Sequence, residues 1–268
     1  GDHRDLHKEY RRQRQMCIRD RHTLCDTLHS TSFEPGGFAE YVRVPKINVD
    51  KGGVLLLPEE LSFEEGTFIE PLGCTVRGQR RICLQPGDSV LVLGSGLAGL
   101  LNIRLALALG AGCIVSTDLH PFRLQAAIDS GARAGVNAGS PNVIEESVSV
   151  NDGCLFNHVI ICTAASDAFG QAMNAVTPGG TVLLYAFSEP GNDVSLDLHE
   201  YFRKGITLRS TYGASPLDLS EALRLLRFGR VAVKDLITHR MPLADTGKGF
   251  WFAASGAESL KVIIQPGR

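Results

Sequence analysis

The stretch Ser89–Asp118, SVLVLGSGLAGLLNIRLALALGAGCIVSTD, decides the fold of this chain. It opens with SVLVL, a continuous apolar run of the length and composition of a buried parallel strand. The next run, LLNIRLALAL, predicts a helix that stops at Gly110, and CIVSTD predicts a second strand that ends in Asp118. Strand, helix and strand in this order predict a βαβ unit.

Three glycines separate the first predicted strand from the helix. Gly94, Gly96 and Gly99 form the pattern G-x-G-x-x-G. In this setting the first glycine allows a tight turn, the second lets the backbone approach a pyrophosphate, and the third lets the helix pack close to the strand. Leu97 and Ala98 lie between the second and third glycines, just before the predicted helix, whose free N-terminal N–H groups are expected to face the phosphates. The pattern therefore predicts a dinucleotide site that includes these five residues.

The identity of the dinucleotide depends on Asp118, which follows Gly99 by 19 residues. An acid at the end of the second strand accepts hydrogen bonds from the ribose hydroxyls and repels a 2′-phosphate. This favours NAD over NADP. Arg123 has two interpretations, because it could reach a phosphate or remain a solvated helix residue.

The alternation of helices and strands continues after this unit. Helices are predicted around Val143–Val150 and in DAFGQAMNAVTPGG, and strands in NHVIICTA, TVLLYAF and ITLRSTYG. This order predicts a doubly wound parallel sheet, whose ligands bind beyond the carboxyl ends of the strands. Cys162, Thr163, Ala186 and Phe187 are therefore expected near the cofactor. Cys162 is interpreted as a packed strand-end thiol rather than a nucleophile.

Composition excludes several classes of function. The 268 residues are 44% hydrophobic and 21% charged, with a formal net charge of −2, which indicates neither a nucleic-acid-binding protein nor a membrane-surface protein. Glycines, Asn102 and Arg104 interrupt the long apolar run and argue against a membrane span. Seven scattered cysteines and a polar N-terminus without a signal peptide favour a reduced, cytoplasmic location.

The segments that flank the sheet have a different pattern. Residues 36–71 contain short apolar runs, turns and prolines and are predicted to be β-rich. After the sheet, a helix is predicted over Leu219–Arg230, followed by a closing strand in SLKVIIQP. A mainly β domain is therefore expected, formed by the segments that precede and follow the doubly wound unit in sequence.

Glu70 interrupts the otherwise apolar stretch TFIEPLGC, Thr67–Cys74. A buried carboxylate is costly unless a metal ion or a cation compensates it. Alternatively, Pro71 could open a helix and place Glu70 near the positive end of the helix dipole. The residues alone leave both interpretations open.

The chain closely resembles the medium-chain, zinc-dependent alcohol dehydrogenase family, in particular its sorbitol and threonine dehydrogenase-like branch. The matching pieces, in family order, are GGFAEYVRVP, FEEGTFIEPLGC, GDSVLVLGSGLAGLL, CTA, TPGGTVLLYAF, ITHRMPL and SLKVIIQP. The resemblance implies an α/β fold, a Rossmann doubly wound parallel sheet plus a partial GroES-like β-rich catalytic domain. The expected divisions are a non-native segment at 1–21, the partial GroES-like domain at 22–72, the NAD-binding Rossmann domain at 73–213, and a return to the catalytic domain at 214–268.

The resemblance also assigns roles to individual residues. Glu70 matches a glutamate that faces the catalytic zinc and either binds the metal or contacts its water. Ser210, Thr211 and Tyr212 are expected to line the nicotinamide end, where Tyr212 either touches the substrate or is structural. The resembling enzymes take a cysteine and a Gly-His-Glu histidine from upstream sequence, and neither motif occurs here. The catalytic zinc site is therefore expected to be incomplete in this chain, which is interpreted as N-terminally truncated.

The family also has a lobe with a structural zinc ion and four cysteines. Cys17 and Cys25 keep the spacing of two of them, whereas Arg11 and Arg14 stand at the other two positions. No structural zinc is expected, because such a site needs four ligands.

The resulting hypothesis is an NAD-dependent oxidoreductase that transfers hydride between NAD and a secondary alcohol or polyol with a catalytic zinc ion. The alternatives are a zinc-free quinone reductase-like enzyme and a non-catalytic NAD-binding fragment. The strand in ITLRSTYG is predicted to lie at the edge of the sheet, where an exposed strand can pair with the same strand of a second copy. A homodimer, or a homotetramer, is therefore expected. The sequence does not identify the alcohol.

Overall fold

The structure is a computed structural model, and it describes residues 22–25, 30–186, 191, 193–256 and 258–267. Some residues named in the sequence analysis lie outside the described residues. They are the segment 1–21, which includes Arg11, Arg14 and Cys17, and the cofactor candidate Phe187.

Six parallel strands form one sheet in the order β3-β2-β1-β4-β5-β6. The strands are β1 (Ser89–Leu93), β2 (Cys113–Asp118), β3 (Ala134–Asn137), β4 (Phe156–Ile161), β5 (Val176–Leu184) and β6 (Thr207–Ser210). Leu91 in β1 lies opposite Val115 on one side and Val159 on the other. The strand order reverses between β1 and β4, and ligands of such sheets bind in the crevice that this reversal leaves. The predicted doubly wound sheet is confirmed.

Ten α-helices are described. They are α1 (Lys46–Asp50), α2 (Phe63–Gly66), α3 (Ile69–Ile82), α4 (Leu97–Ala108), α5 (Pro121–Asp129), α6 (Val143–Val150), α7 (Ala168–Ala175), α8 (Leu198–Lys204), α9 (Pro216–Arg227) and α10 (Thr246–Ser255). The helices cover both faces of the sheet. Val90 and Val92 pack in the core that α3, α4 and α9 share, whereas Leu91 and Leu93 pack on the opposite face with α6 and α7. Alternate residues of a strand point to opposite faces, so one apolar strand supplies both cores.

Two polar residues in the apolar helix α4 join it to its neighbours. Asn102 is fully buried, and its carbonyl accepts a hydrogen bond from Gln79 Nε2 at 2.7 Å. Arg104 donates to Asp235 Oδ1 at 2.7 Å and to Ser130 Oγ at 3.0 Å. Among the described residues, the helices are all too short or too polar to cross a bilayer.

Three helices, α4, α7 and α9, have boundaries that differ from the sequence prediction. Helix α7 ends at Ala175, and TPGG belongs to the start of β5 rather than to the end of the helix. Helix α9 begins at Pro216, three residues before the predicted start at Leu219, because Ser215 and Asp218 form a capping box. Ser215 Oγ accepts from the Asp218 N–H, and the Asp218 carboxylate accepts from the Ser215 N–H at 2.8 Å.

The prediction of a β-rich segment over residues 36–71 is wrong for secondary structure. The segment contains the short helices α1 and α2, and its strand-like pairing is limited to one bridge between Glu34 and Arg43. A strand is stable only with a hydrogen-bonded neighbour, and the described residues supply none here. The proposed boundary between residues 72 and 73 lies inside α3.

The closing strand after α10 is confirmed. β8 (Lys261–Gln265) pairs in parallel with β7 (Ile237–Pro242) in a separate two-stranded sheet.

Candidate functional site

The glycine-rich turn has the geometry that its pattern predicts. Gly94 has φ +97°, where L-residues are strained, and a Cβ there would lie 3.1 Å from the carbonyl oxygen of Cys162. A Cβ on Gly99 would lie 1.9 Å from the carbonyl oxygen of Gly94, so only glycine lets α4 pack this close to the turn. Above Gly96 the space is open, and a Cβ would meet nothing within 4 Å. The turn is closed on its inner side and accessible on its outer side.

Helix α4 starts directly at this turn, with Gly96 as its N-cap. Leu97 and Ala98 occupy its first two positions, so the helix begins three residues before the predicted start at Leu100, and the Leu100 N–H donates to the Gly96 carbonyl at 2.9 Å. The N–H groups before Leu100 point past the end of the helix, where the helix dipole favours an anion. The arrangement fits a pyrophosphate.

Asp118 is fixed at the end of β2, beside the turn. Its Oδ2 accepts from the Ser95 N–H at 2.9 Å and its Oδ1 from the His120 N–H at 3.0 Å. The side chain is 8% exposed. Each carboxylate oxygen has a second lone pair, so Asp118 can still accept ribose hydroxyls. The two backbone bonds orient the carboxylate before any ligand binds, a detail that the sequence pattern did not reveal.

Arg123 lies close to Asp118, with 3.9 Å between Nη1 and Oδ2. Its Nε is buried without a hydrogen-bond partner among the described residues. A Cβ on Gly256 would lie 2.3 Å from Arg123 Nη2, so the end of α10 covers the guanidinium. This contact joins residues far apart in sequence, and no local pattern predicts it. The solvated-helix interpretation of Arg123 is therefore wrong, and a role in cofactor binding stays a prediction.

A cavity of about 1480 Å³ lies beyond the carboxyl ends of β4, β5 and β6. Five predicted residues line it, namely Thr163, Ala186, Ser210, Thr211 and Tyr212. The position is that of the second mononucleotide half in a doubly wound sheet. Sequence reasoning missed Arg77 and Arg81 from α3, and also Thr23, Leu24 and Ser166, all of which line the same cavity.

Cys162 follows β4 but does not present its thiol as a nucleophile. Asn102 Nδ2 lies 3.6 Å from Cys162 Sγ, and burial raises the pKa of the thiol far above its usual value. A protonated, packed thiol is inert. The contribution of Cys162 to the site is its backbone, which lies against Gly94.

Glu70 lies in the first turn of α3 and is exposed. Expecting a buried carboxylate was wrong, whereas the alternative that Pro71 lies in a helix start is confirmed. Cys74 Sγ donates to Glu70 Oε1 at 3.2 Å. Burial and the Glu70 charge raise the pKa of Cys74 to about 12, so this thiol is protonated near neutral pH. Burial also lowers the pKa of Lys261, and the Glu70 charge opposes that effect.

The residues around Glu70 do not form a zinc site. Within the part of the chain that the structure describes, no group of three or more His, Cys, Asp and Glu residues could hold a metal ion. Catalytic zinc takes about three protein ligands, and Glu70 with Cys74 supplies two candidates at most. The described residues thus fit a dinucleotide and do not fit a metal.

Comparison with known proteins finds dehydrogenases. Residues 98–227 match the zinc-binding dehydrogenase family. A sorbitol dehydrogenase of Bacillus subtilis is 27% identical over an alignment of 266 residues, which covers 95% of this chain and 71% of that protein. An L-threonine 3-dehydrogenase of Alteromonas mediterranea is 27% identical over 251 residues, covering 92% of this chain and 70% of that protein.

A solved structure gives the same result. The alcohol dehydrogenase TADH from Thermus sp. ATN1 superposes with a TM-score of 0.77 at 29% identity, over 85% of this chain and 64% of that enzyme. In its fold and its glycine-rich turn, and through these relatives, the chain is similar to the zinc-binding dehydrogenase family.

Proposed function

We propose that this chain is an NAD-dependent oxidoreductase that transfers hydride between NAD and a secondary alcohol or polyol. The observation that carries the proposal is that two parts of a dinucleotide site lie at the same edge of the sheet. The glycine-rich turn and Asp118 lie at β1 and β2, and the cavity lies at β4 to β6. The names of the relatives, a sorbitol dehydrogenase and a threonine dehydrogenase among them, support the alcohol or polyol as substrate.

Different parts of the cofactor would bind to different groups of described residues. Gly96 and the first N–H groups of α4 would hold the pyrophosphate, and Asp118 would accept the hydroxyls of the adenosine ribose. The cavity would take the nicotinamide, with Thr163 and Ser210 on its walls. When bound, the nicotinamide supplies the carbon that accepts or donates hydride. The chain's part is to hold that ring and the alcohol in reacting geometry.

The role of Glu70 as a metal ligand stays a proposal that rests on the family. The described residues do not complete a zinc site, and no step is assigned to the metal here. Zinc analysis of the purified chain and of its Glu70→Gln variant is the measurement. An appreciable zinc content that is equal in the two proteins would contradict a ligand role for Glu70.

NADH is expected to bind roughly tenfold or more tightly than NADPH, a difference of about 1.4 kcal/mol. The reason is the Asp118 carboxylate, which meets hydroxyls in NADH and a 2′-phosphate in NADPH. Asp118→Ser should weaken NADH binding and narrow the difference between the two cofactors. Fluorescence titration of both cofactors with both proteins is the measurement.

Asp129→Ser is the matched control, because it removes the same charge from an exposed position on the neighbouring helix α5. It should leave both affinities near those of the unaltered protein. Equal affinities for NADH and NADPH in the unaltered chain would refute the role of Asp118.

The two alternative functions, a quinone reductase-like enzyme and a non-catalytic NAD-binding fragment, predict different activities for this chain. A quinone reductase-like enzyme would oxidise NADPH or NADH with a quinone, and a non-catalytic module would bind NADH without turnover of polyols or quinones. Steady-state assays with sorbitol and with a benzoquinone, after NADH binding has been measured, separate the three.

We also propose a homodimer through β6. This strand pairs with β5 on one side, and among the described residues its other edge carries no strand. Exposed edges of this kind promote strand pairing between copies. The adjacent helix α8 exposes Leu198 and Phe202, which lie one turn apart. Light scattering at micromolar concentration tests the proposal, and a strictly monomeric species would contradict both the dimer and the tetramer.

A further inference from the structure

Two arginines of α3 line the cavity at β4 to β6. Arg77 and Arg81 are separated by four residues, which places both on one face of the helix. Arg77 is already compensated, because its Nη1 lies 3.2 Å from Asp218 Oδ2 and both side chains are almost fully buried. The positive charge of Arg77 is therefore used to hold the structure together through its ion pair with Asp218.

Arg81 differs from Arg77 in its charge environment. The two acids of α9 near this face, Asp218 and Glu221, are both engaged by Arg80, and Asp218 also by Arg77. Arg81 is exposed and forms no salt bridge with any described residue. Three arginines thus face two carboxylates, and the excess positive charge is at Arg81. Asp193 is the one acid among the described residues that line the cavity, and it is exposed to solvent.

Hydroxyl groups make up another wall of the same cavity. Ser166, Ser210, Thr211 and Tyr212 line it. Thr211 Oγ1 is buried and has no hydrogen-bond partner among the described residues. A buried hydroxyl without a partner is unfavourable, so a ligand that bonds to it is stabilised. Hydroxyls and an uncompensated guanidinium together suit a ligand that has both hydroxyl groups and a negative charge.

We propose that the alcohol substrate is a polyhydroxylated anion, a sugar acid or a sugar-alcohol phosphate, whose anionic group binds Arg81. The inference rests on the proposed function and narrows its substrate class. Arg81 belongs to α3, whose Gly78 lies against Leu183 of β5 and Thr211 after β6, whereas the pyrophosphate of the cofactor belongs at the turn after β1. A full cofactor site therefore leaves Arg81 free for a second anion.

The test uses three six-carbon probes that share a polyol chain: sorbitol, gluconate and sorbitol 6-phosphate. Each is titrated calorimetrically into the chain saturated with NADH. Gluconate, sorbitol 6-phosphate or both should bind at least tenfold more tightly than sorbitol, and added salt should reduce the difference. If only gluconate binds more tightly than sorbitol, the site prefers a carboxylate. If only sorbitol 6-phosphate does, the site prefers a phosphate.

Arg81→Gln should remove the gain, and Arg81→Lys should keep part of it because the charge remains. The control is Arg230→Gln, which removes an exposed arginine outside the cavity lining and should keep the full gain. Equal affinities for the three probes, or a gain that survives Arg81→Gln, would overturn the inference while NADH binding still supports the proposed function. Failure of the chain to bind NADH would overturn both.

Discussion

Gly99→Ala is expected to lower the melting temperature by roughly 6–12 °C and to abolish NADH binding. A Cβ at this position would lie 1.9 Å from the Gly94 carbonyl oxygen, and both groups are backbone or fixed to it. Helix α4 would have to move away from β1, in the most buried part of the sheet. Overpacking of this kind costs about 3 kcal/mol, and about 1 kcal/mol shifts the melting temperature of a chain this large by 2–4 °C.

Gly96→Ala is the matched control in the same turn. Its Cβ would meet no atom within 4 Å, and its φ of −68° suits any residue. The melting temperature should therefore change little, while NADH affinity falls at least tenfold, because the methyl group occupies the space where the pyrophosphate approaches. Thermal unfolding and NADH titration of both variants separate packing from binding.

Two outcomes would contradict this account of the turn. An unchanged melting temperature in Gly99→Ala would show that α4 is free to move away from the strand. An unchanged NADH affinity in Gly96→Ala would place the dinucleotide elsewhere, and the proposed function would lose its main support.

The sheet and the turn could be predicted because their signals are local. An apolar run of strand length, three glycines at fixed spacing and an acid at the next strand end all lie within Ser89–Asp118. Each of these signals fixes a backbone conformation or a buried face without reference to the rest of the chain. The strands and the position of Asp118 followed directly.

The α3 region could not be predicted in the same way. The apolar letters around Glu70 suggested burial, but a helix has an exposed face, and Glu70 lies on it. The positions of Arg77 and Arg81 depend on where α3 crosses the sheet, with Gly78 against Leu183 and Thr211. Such contacts join segments more than a hundred residues apart, and hydropathy along the chain does not encode them.

Asp218 shows how strongly these distant contacts act on stability. Asp218→Ala is expected to lower the free energy of unfolding by about 3–5 kcal/mol, the usual cost of leaving a buried charge without its partner. Asp218 is fully buried, and Arg77, Arg80 and the capping residue Ser215 all donate to its carboxylate. Removing it leaves the buried Arg77 uncompensated and breaks the half of the capping box in which the carboxylate accepts from the Ser215 N–H. Urea unfolding measures the loss.

A second pair of variants separates the buried charge from the helix cap. Arg77→Met/Asp218→Asn removes both members of the ion pair and keeps an oxygen that can accept from the Ser215 N–H, so it should be more stable than Asp218→Ala. Glu60→Ala is the control, because it breaks an exposed salt bridge to Arg227 on the same helix α9 and should leave the urea midpoint nearly unchanged. If Asp218→Ala unfolded at the same urea concentration as Glu60→Ala, the ion pair would not hold α3 against α9. The wall that carries Arg77 and Arg81 would then be positioned by apolar packing alone.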